Sequence, residues 1–210
     1  ALLIVATPDG LRSFGTALCL FFYVFLFNFA AMGLFCDYLQ RRTSPRVFLA
    51  VDLDDQDFPG VVEFVRQKSG PTVSFDENGV FTTSDIEAHV AALGLPLKKE
   101  LVDQWKLSRF CIEDHILSLV LQEKNFNSLK ARERKIKKDY HVVVSKLKET
   151  VSSCKDLDFN SKVLLELLRA ITGFVVSPAT FAQRVIECSE AKAVNITFSD
   201  ILSRLRRAAE

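Results

Sequence analysis

Apolar positions are unevenly distributed along this chain. From Ser13 to Cys36 run 24 consecutive residues without a charge, and seven of the chain's 18 Phe lie among them. As a helix rising 1.5 Å per residue this run would reach about 36 Å, enough to cross a hydrocarbon core of about 30 Å. Arg12 closes one end, and Asp37, Arg41, Arg42 and Arg46 close the other. The pattern predicts a transmembrane helix over about 13–36, longer than the apolar region of a secretory signal. A fully buried helix of a soluble fold is the alternative. Asn28, the one strongly polar side chain in the run, suits a hydrogen bond to a neighbouring helix better than an ion path. Three arginines follow the run and one precedes it, so the positive-inside rule turns the C-terminal part toward the matrix or cytosol. The chain starts at Ala1 rather than Met, as it would after removal of a presequence or in a piece of a longer chain.

Beyond the run the periodicity changes. Arg46 to Leu53 (RVFLAVDL) is β-branched and apolar and predicts a strand. Pro59-Gly60 opens a short helix that stops at Gly70-Pro71. Thr72 to Phe75 and Val80 to Thr82 flank Asp76-Glu77-Asn78-Gly79, a hairpin pattern in which Asn-Gly supplies the positive φ values. Ser84-x-x-Glu87 reads as a capping box for a helix ending at Gly94-Leu95-Pro96. From there the spacing is helical: near 97–122, near 128–153, from Asn160 to about Thr172, from Ser177-Pro178, and from Ser199-Asp200. The expected organisation is an N-terminal segment over 1–42, a small unit over 43–95 and a helical domain over 96–210.

Charge narrows the functional classes. Lys and Arg number 27 against 26 Asp and Glu, for a net charge of +1, which excludes a dominant nucleic-acid footprint. Five cysteines without a C-x-x-C pair or disulfide framework suit a reducing compartment. His89, His115 and His141 each stand alone, so no metal is expected. Asp52, Asp54, Asp55 and Asp57 start like a calcium loop, but Asp57 stands where glycine is needed and Pro59 interrupts it. Ser74 to Asp85 matches such a loop at Asp76, Asn78 and Gly79, where the hairpin reading prevails. Lys130 to Lys148 carries eight basic and two acidic residues and suits a solvated helix face or the rim of a protein contact better than lipid or RNA. Trp105, the only Trp, is expected as a core anchor.

The order strand, helix, hairpin, helix, together with VDLDD, the helix begun at Pro59, GPTVSF and DENG, resembles the second half of a thioredoxin-like fold. The helix TTSDIEAHVAAL and the segment ELVDQWKLSRF are similar to glutathione transferases over residues 46–110. The fold class expected is therefore α+β: a transmembrane helix, a truncated thioredoxin-like βαββα unit and an all-helical C-terminal region. The resemblance implies a cis Pro71 and, if glutathione binds, a site at Gly70, Pro71 and Thr83, with Thr83 at the γ-glutamyl end. It lacks the rest of the machinery. Ser13 is the only serine near a possible first-strand end, and no Tyr occurs there.

These features predict no catalytic residue, no cofactor and no metal. They predict a non-catalytic accessory subunit of a multisubunit membrane complex, in the first instance a mitochondrial inner-membrane respiratory-chain or ATP synthase complex. Its partners would be other subunits and the lipid bilayer, without nucleic acid. The alternatives are a glutathione-binding, transferase-like membrane enzyme and a membrane-tethered adaptor.

Overall fold

The computed structural model describes residues 2–4, 46–52, 74–75, 80–82, 87–93, 111–153 and 160–209, with single helical positions at 59, 60, 63, 66, 67 and 105. Two compact units emerge, Gly94–Phe198 and a second made of Ala1–Leu93 with Ser199–Glu210.

In the first of these, local chemistry places the helix ends. α1 (Ile112–Val120) begins where the Asp114 carboxylate accepts the N–H of Cys111 at 2.7 Å. α2 (Glu123–Arg132) follows directly, and α3 (Tyr140–Ser153) comes after a seven-residue connection over 133–139. α4 (Ser161–Thr172) is capped by Asn160, whose side chain accepts the N–H of Val163 at 3.1 Å. It stops at Gly173, which takes φ 73°, a left-handed conformation that lacks a Cβ penalty only for glycine. α5 (Pro178–Cys188) starts with Ser177 as cap and Pro178 in its first turn. α6 (Ala191–Thr197) is short.

Amphipathic spacing then assembles the core. α1 is the hub, packed against α2, α4, α5 and α6, while α2 lies on α5 and α3 on α4. Ile116, Leu119, Phe126, Leu147, Leu168 and Phe181 are fully enclosed. Each such side chain contributes roughly 1.5–3 kcal/mol of transfer free energy. Trp105 is helical and buried, as its expected anchoring role requires.

The helix expected near 128–153 is two helices, α2 and α3, broken over 133–139. The apolar stripe itself is intact. Leu129, Ile136, Val143 and Leu147 are all buried, but the turn lets α2 reach α5 while α3 reaches α4. One straight helix could lay its stripe against only one of them. The break is held by tertiary bonds: Tyr140 Oη donates to the Leu121 carbonyl at 2.6 Å, and Lys138 Nζ donates to the Ile171 carbonyl at 2.6 Å.

In the other unit, β1 (Leu2–Ile4), β2 (Arg46–Asp52), β3 (Ser74–Phe75), β4 (Val80–Thr82) and β5 (Glu87–Leu93) form a sheet in the order β1-β2-β5-β4-β3. β2 and β5 run parallel, with Arg46 opposite Glu87 and Asp52 opposite Leu93, and the other pairings are antiparallel. The terminal helix α7 (Ser199–Ala209) packs on β5 and β2, and its Ile201 and Leu202 are buried.

This architecture overturns the expected βαββα unit. The capping-box segment before Gly94, expected as its closing helix, contains the strand β5. Its alanines favour helix locally, but residues 87–93 are bonded on both edges, to β2 along their whole length and to β4. Pairing over seven residues outweighs propensity differences of a few tenths of a kcal/mol each. His89 accordingly lies on a strand. The transmembrane helix is likewise not seen: among the described residues no helix is long and apolar enough to cross a membrane. Residues 13–36, where it was expected, lie outside the described residues.

Candidate functional site

α4 is apolar on two sides. Ser161, Leu164, Leu165, Leu168 and Thr172 turn inward and are buried, as the 3.6-residue period dictates. Val163, Leu167 and Ala170 recur at four- and three-residue steps on the opposite side, where Val163 is 38% exposed and Ala170 is exposed. An apolar stripe on a helix is normally packed against a neighbour. This second stripe instead lines an open cleft of about 580 Å³, closed by Glu113 of α1 and Pro178 of α5. Lys162 and Glu166 supply its charged side chains on α4.

Glu113 is the chemical oddity of the cleft. Its Oε2 is buried and has no hydrogen-bond partner. A buried carboxylate oxygen without a partner carries an uncompensated desolvation cost of about 1–3 kcal/mol. Arg169, buried on α4, pairs with Glu166 through Nη1, while its Nε has no partner among the described residues. The arrangement thus offers apolar contact along α4 and one acceptor at its edge. Apolar surface beside an unpartnered acceptor is an arrangement that can take up an amphipathic helix.

Two further polar groups are buried nearby in the fold, and both have structural partners. Asp114 accepts hydrogen bonds from the Cys111 N–H and from Ser161 Oγ, tying the start of α1 to the start of α4. His115 places Nδ1 at 2.9 Å from the Thr197 carbonyl and stacks on Phe198 with ring centroids 4.7 Å apart. Burial pushes its pKa down to about 4 against the pull of the Thr197 hydrogen bond, so at neutral pH the ring is uncharged with its proton on Nδ1. Asn125 is also enclosed; its amide donates to the Leu119 carbonyl at 3.1 Å, and its oxygen accepts the N–H of Glu190 at 3.2 Å.

Of the residues singled out from the sequence, Gly70, Pro71, Thr83 and Ser13 lie outside the described residues. The strand β5 stands where the helix after Thr83 was expected. Among the described residues no group of His, Cys, Asp or Glu is placed to hold a metal ion. Neither Glu113 nor the outer stripe of α4 was singled out by the sequence reading. The stripe had a legible signal, a second set of apolar residues at helical spacing within SKVLLELLRAIT. The unpaired oxygen of Glu113 had none. No family model matches the chain, and neither a curated protein nor a solved structure is significantly similar to it.

Proposed function

We propose that this chain is a non-catalytic accessory subunit whose helical unit docks a helix of a partner protein in the cleft along α4. The observation that carries the reading is the apolar stripe Val163–Leu167–Ala170, exposed at Val163 and Ala170, beside the unpartnered carboxylate oxygen of Glu113. An amphipathic helix buries an apolar face in such a groove through side chains at matching three- and four-residue steps. A Lys or Arg on that helix would give Glu113 the donor it lacks. The uncharged run Ser13–Cys36 is the feature of the sequence that points to a membrane assembly as the setting. A mitochondrial respiratory-chain or ATP synthase complex is the instance to examine first.

Blue-native electrophoresis of gently solubilised membranes tests the reading. The wild-type chain should migrate within a large complex, and Val163→Asp with Ala170→Asp should release it. Both positions are exposed, so the fluorescence of the buried Trp105 should stay unchanged in the variant. Migration of the wild-type chain as a free monomer or dimer would sink the proposal.

A further inference from the structure

The connection between α2 and α3 holds more positive charge than the fold uses. Of the basic residues in and beside it, Lys130 pairs with Asp139, Arg132 Nη2 lies 2.9 Å from Glu187, and Lys138 binds the Ile171 carbonyl at the end of α4. The acidic residues of the stretch are committed too, since Glu133 faces Arg184 at 3.4 Å. Arg134, Lys135 and Lys137 are left over, all exposed and without an ion-pair partner among the described residues. The segment that carries them is pinned in place. Ile136, between Lys135 and Lys137, is 2% exposed and its N–H donates to the Glu133 carbonyl at 2.9 Å. With Ile136 plugged into the core and Lys138 and Asp139 tied down, the three cations stand on a fixed turn.

We propose that this turn is a contact surface for an anionic phospholipid headgroup layer. The proposal rests on the membrane setting given above, not on the docking cleft. Three cations within four residues of a pinned backbone match a surface of repeated phosphates, each cation strengthening attachment to an anionic bilayer about fivefold. Val142, within one helical turn of Asp139, is 44% exposed and supplies an apolar side chain for the boundary between headgroups and acyl chains. A single-stranded nucleic acid fits less well, because such sites stack bases on aromatic rings. The aromatic residue next to the turn is Tyr140, whose hydroxyl donates to Leu121 and whose ring packs edge-on against Phe126 at 5.7 Å.

The test uses the purified full chain with sedimenting vesicles of phosphatidylcholine, with and without phosphatidylserine. Binding to phosphatidylcholine alone reports membrane association by the rest of the chain, and the part of the phosphatidylserine gain that is lost in a variant of the turn isolates the turn. That gain should weaken as salt rises, and the Arg134→Gln, Lys135→Gln, Lys137→Gln variant should lower it by about 100-fold, three fivefold steps. The variant should keep wild-type Trp105 fluorescence. A gain that is absent in the wild-type chain, or unchanged in the variant, overturns the proposal. So does a wild-type chain that ignores phosphatidylserine but shifts single-stranded RNA through the same three residues. Failure of the membrane setting itself would show separately, as no binding to either vesicle.

Discussion

His115 is the residue whose chemistry makes the clearest demand on the fold. Its ring is enclosed between the Thr197 carbonyl and Phe198, and its pKa falls from 6.5 to about 4. The unfolded chain therefore takes up a proton near pH 6.5 that the folded chain refuses until about pH 4. Stability is unaffected above that window, falls as pH drops through it, and levels off below it. The gap between the two values corresponds to about 3 kcal/mol at most. Urea midpoints read from Trp105 fluorescence should fall between pH 7.5 and pH 4.5 in the wild-type chain. In His115→Gln, which keeps a donor for Thr197, the drop should be clearly smaller. An identical pH profile in both proteins would show that other groups set the acid sensitivity.

Among the elements, α1 and α4 are joined by one short polar link as well as by their apolar faces. Asp114 is fully buried at the first turn of α1 and receives both the Cys111 N–H and the hydroxyl of Ser161, the first residue of α4. Asp114→Ala should destabilise the helical unit by about 2–3 kcal/mol, since it removes a cap and strands two donors. Ser161→Ala should cost about 1 kcal/mol, because the backbone donor keeps its acceptor. The double variant should cost less than the sum, as the two share a bond. Denaturation monitored by Trp105 checks all three, and strict additivity would mean that the Asp114–Ser161 bond contributes nothing. The break between α2 and α3 belongs to the same scale. Its sequence, RERKIKKDY, contains good helix formers, and only the separate destinations of α2 and α3 explain why the chain turns there.

Across the molecule, the helical unit divides its apolar residues between a core and an outer groove, and mutations should separate the two. Phe181 is completely enclosed and lies against Phe174 with centroids 5.9 Å apart. Phe181→Ala should cost about 3–5 kcal/mol, the transfer term plus the cavity it leaves. Val163→Asp on the outer stripe should change stability by less than about 0.5 kcal/mol, as exposed substitutions do. Comparable losses from both, measured by urea titration, would mean that α4 is covered on both sides within the chain itself.

What the sequence determined alone is mostly what short-range physics controls. Asn160 and Ser177-Pro178 mark the starts of α4 and α5 because a cap acts within three residues of itself. Helical spacing likewise marks the segment that holds α3, and Trp105 is buried as expected. Three outcomes depended on residues far apart in the chain. The segment 87–93 became a strand because β2 and β4 supplied hydrogen bonds on both its edges, which no local alanine preference can anticipate. The helix expected near 128–153 split because the core offers two separate docking helices, α5 and α4. Glu113 acquired its unpartnered oxygen only when α4 packed beside it, since burial belongs to the assembled structure and has no periodicity to read.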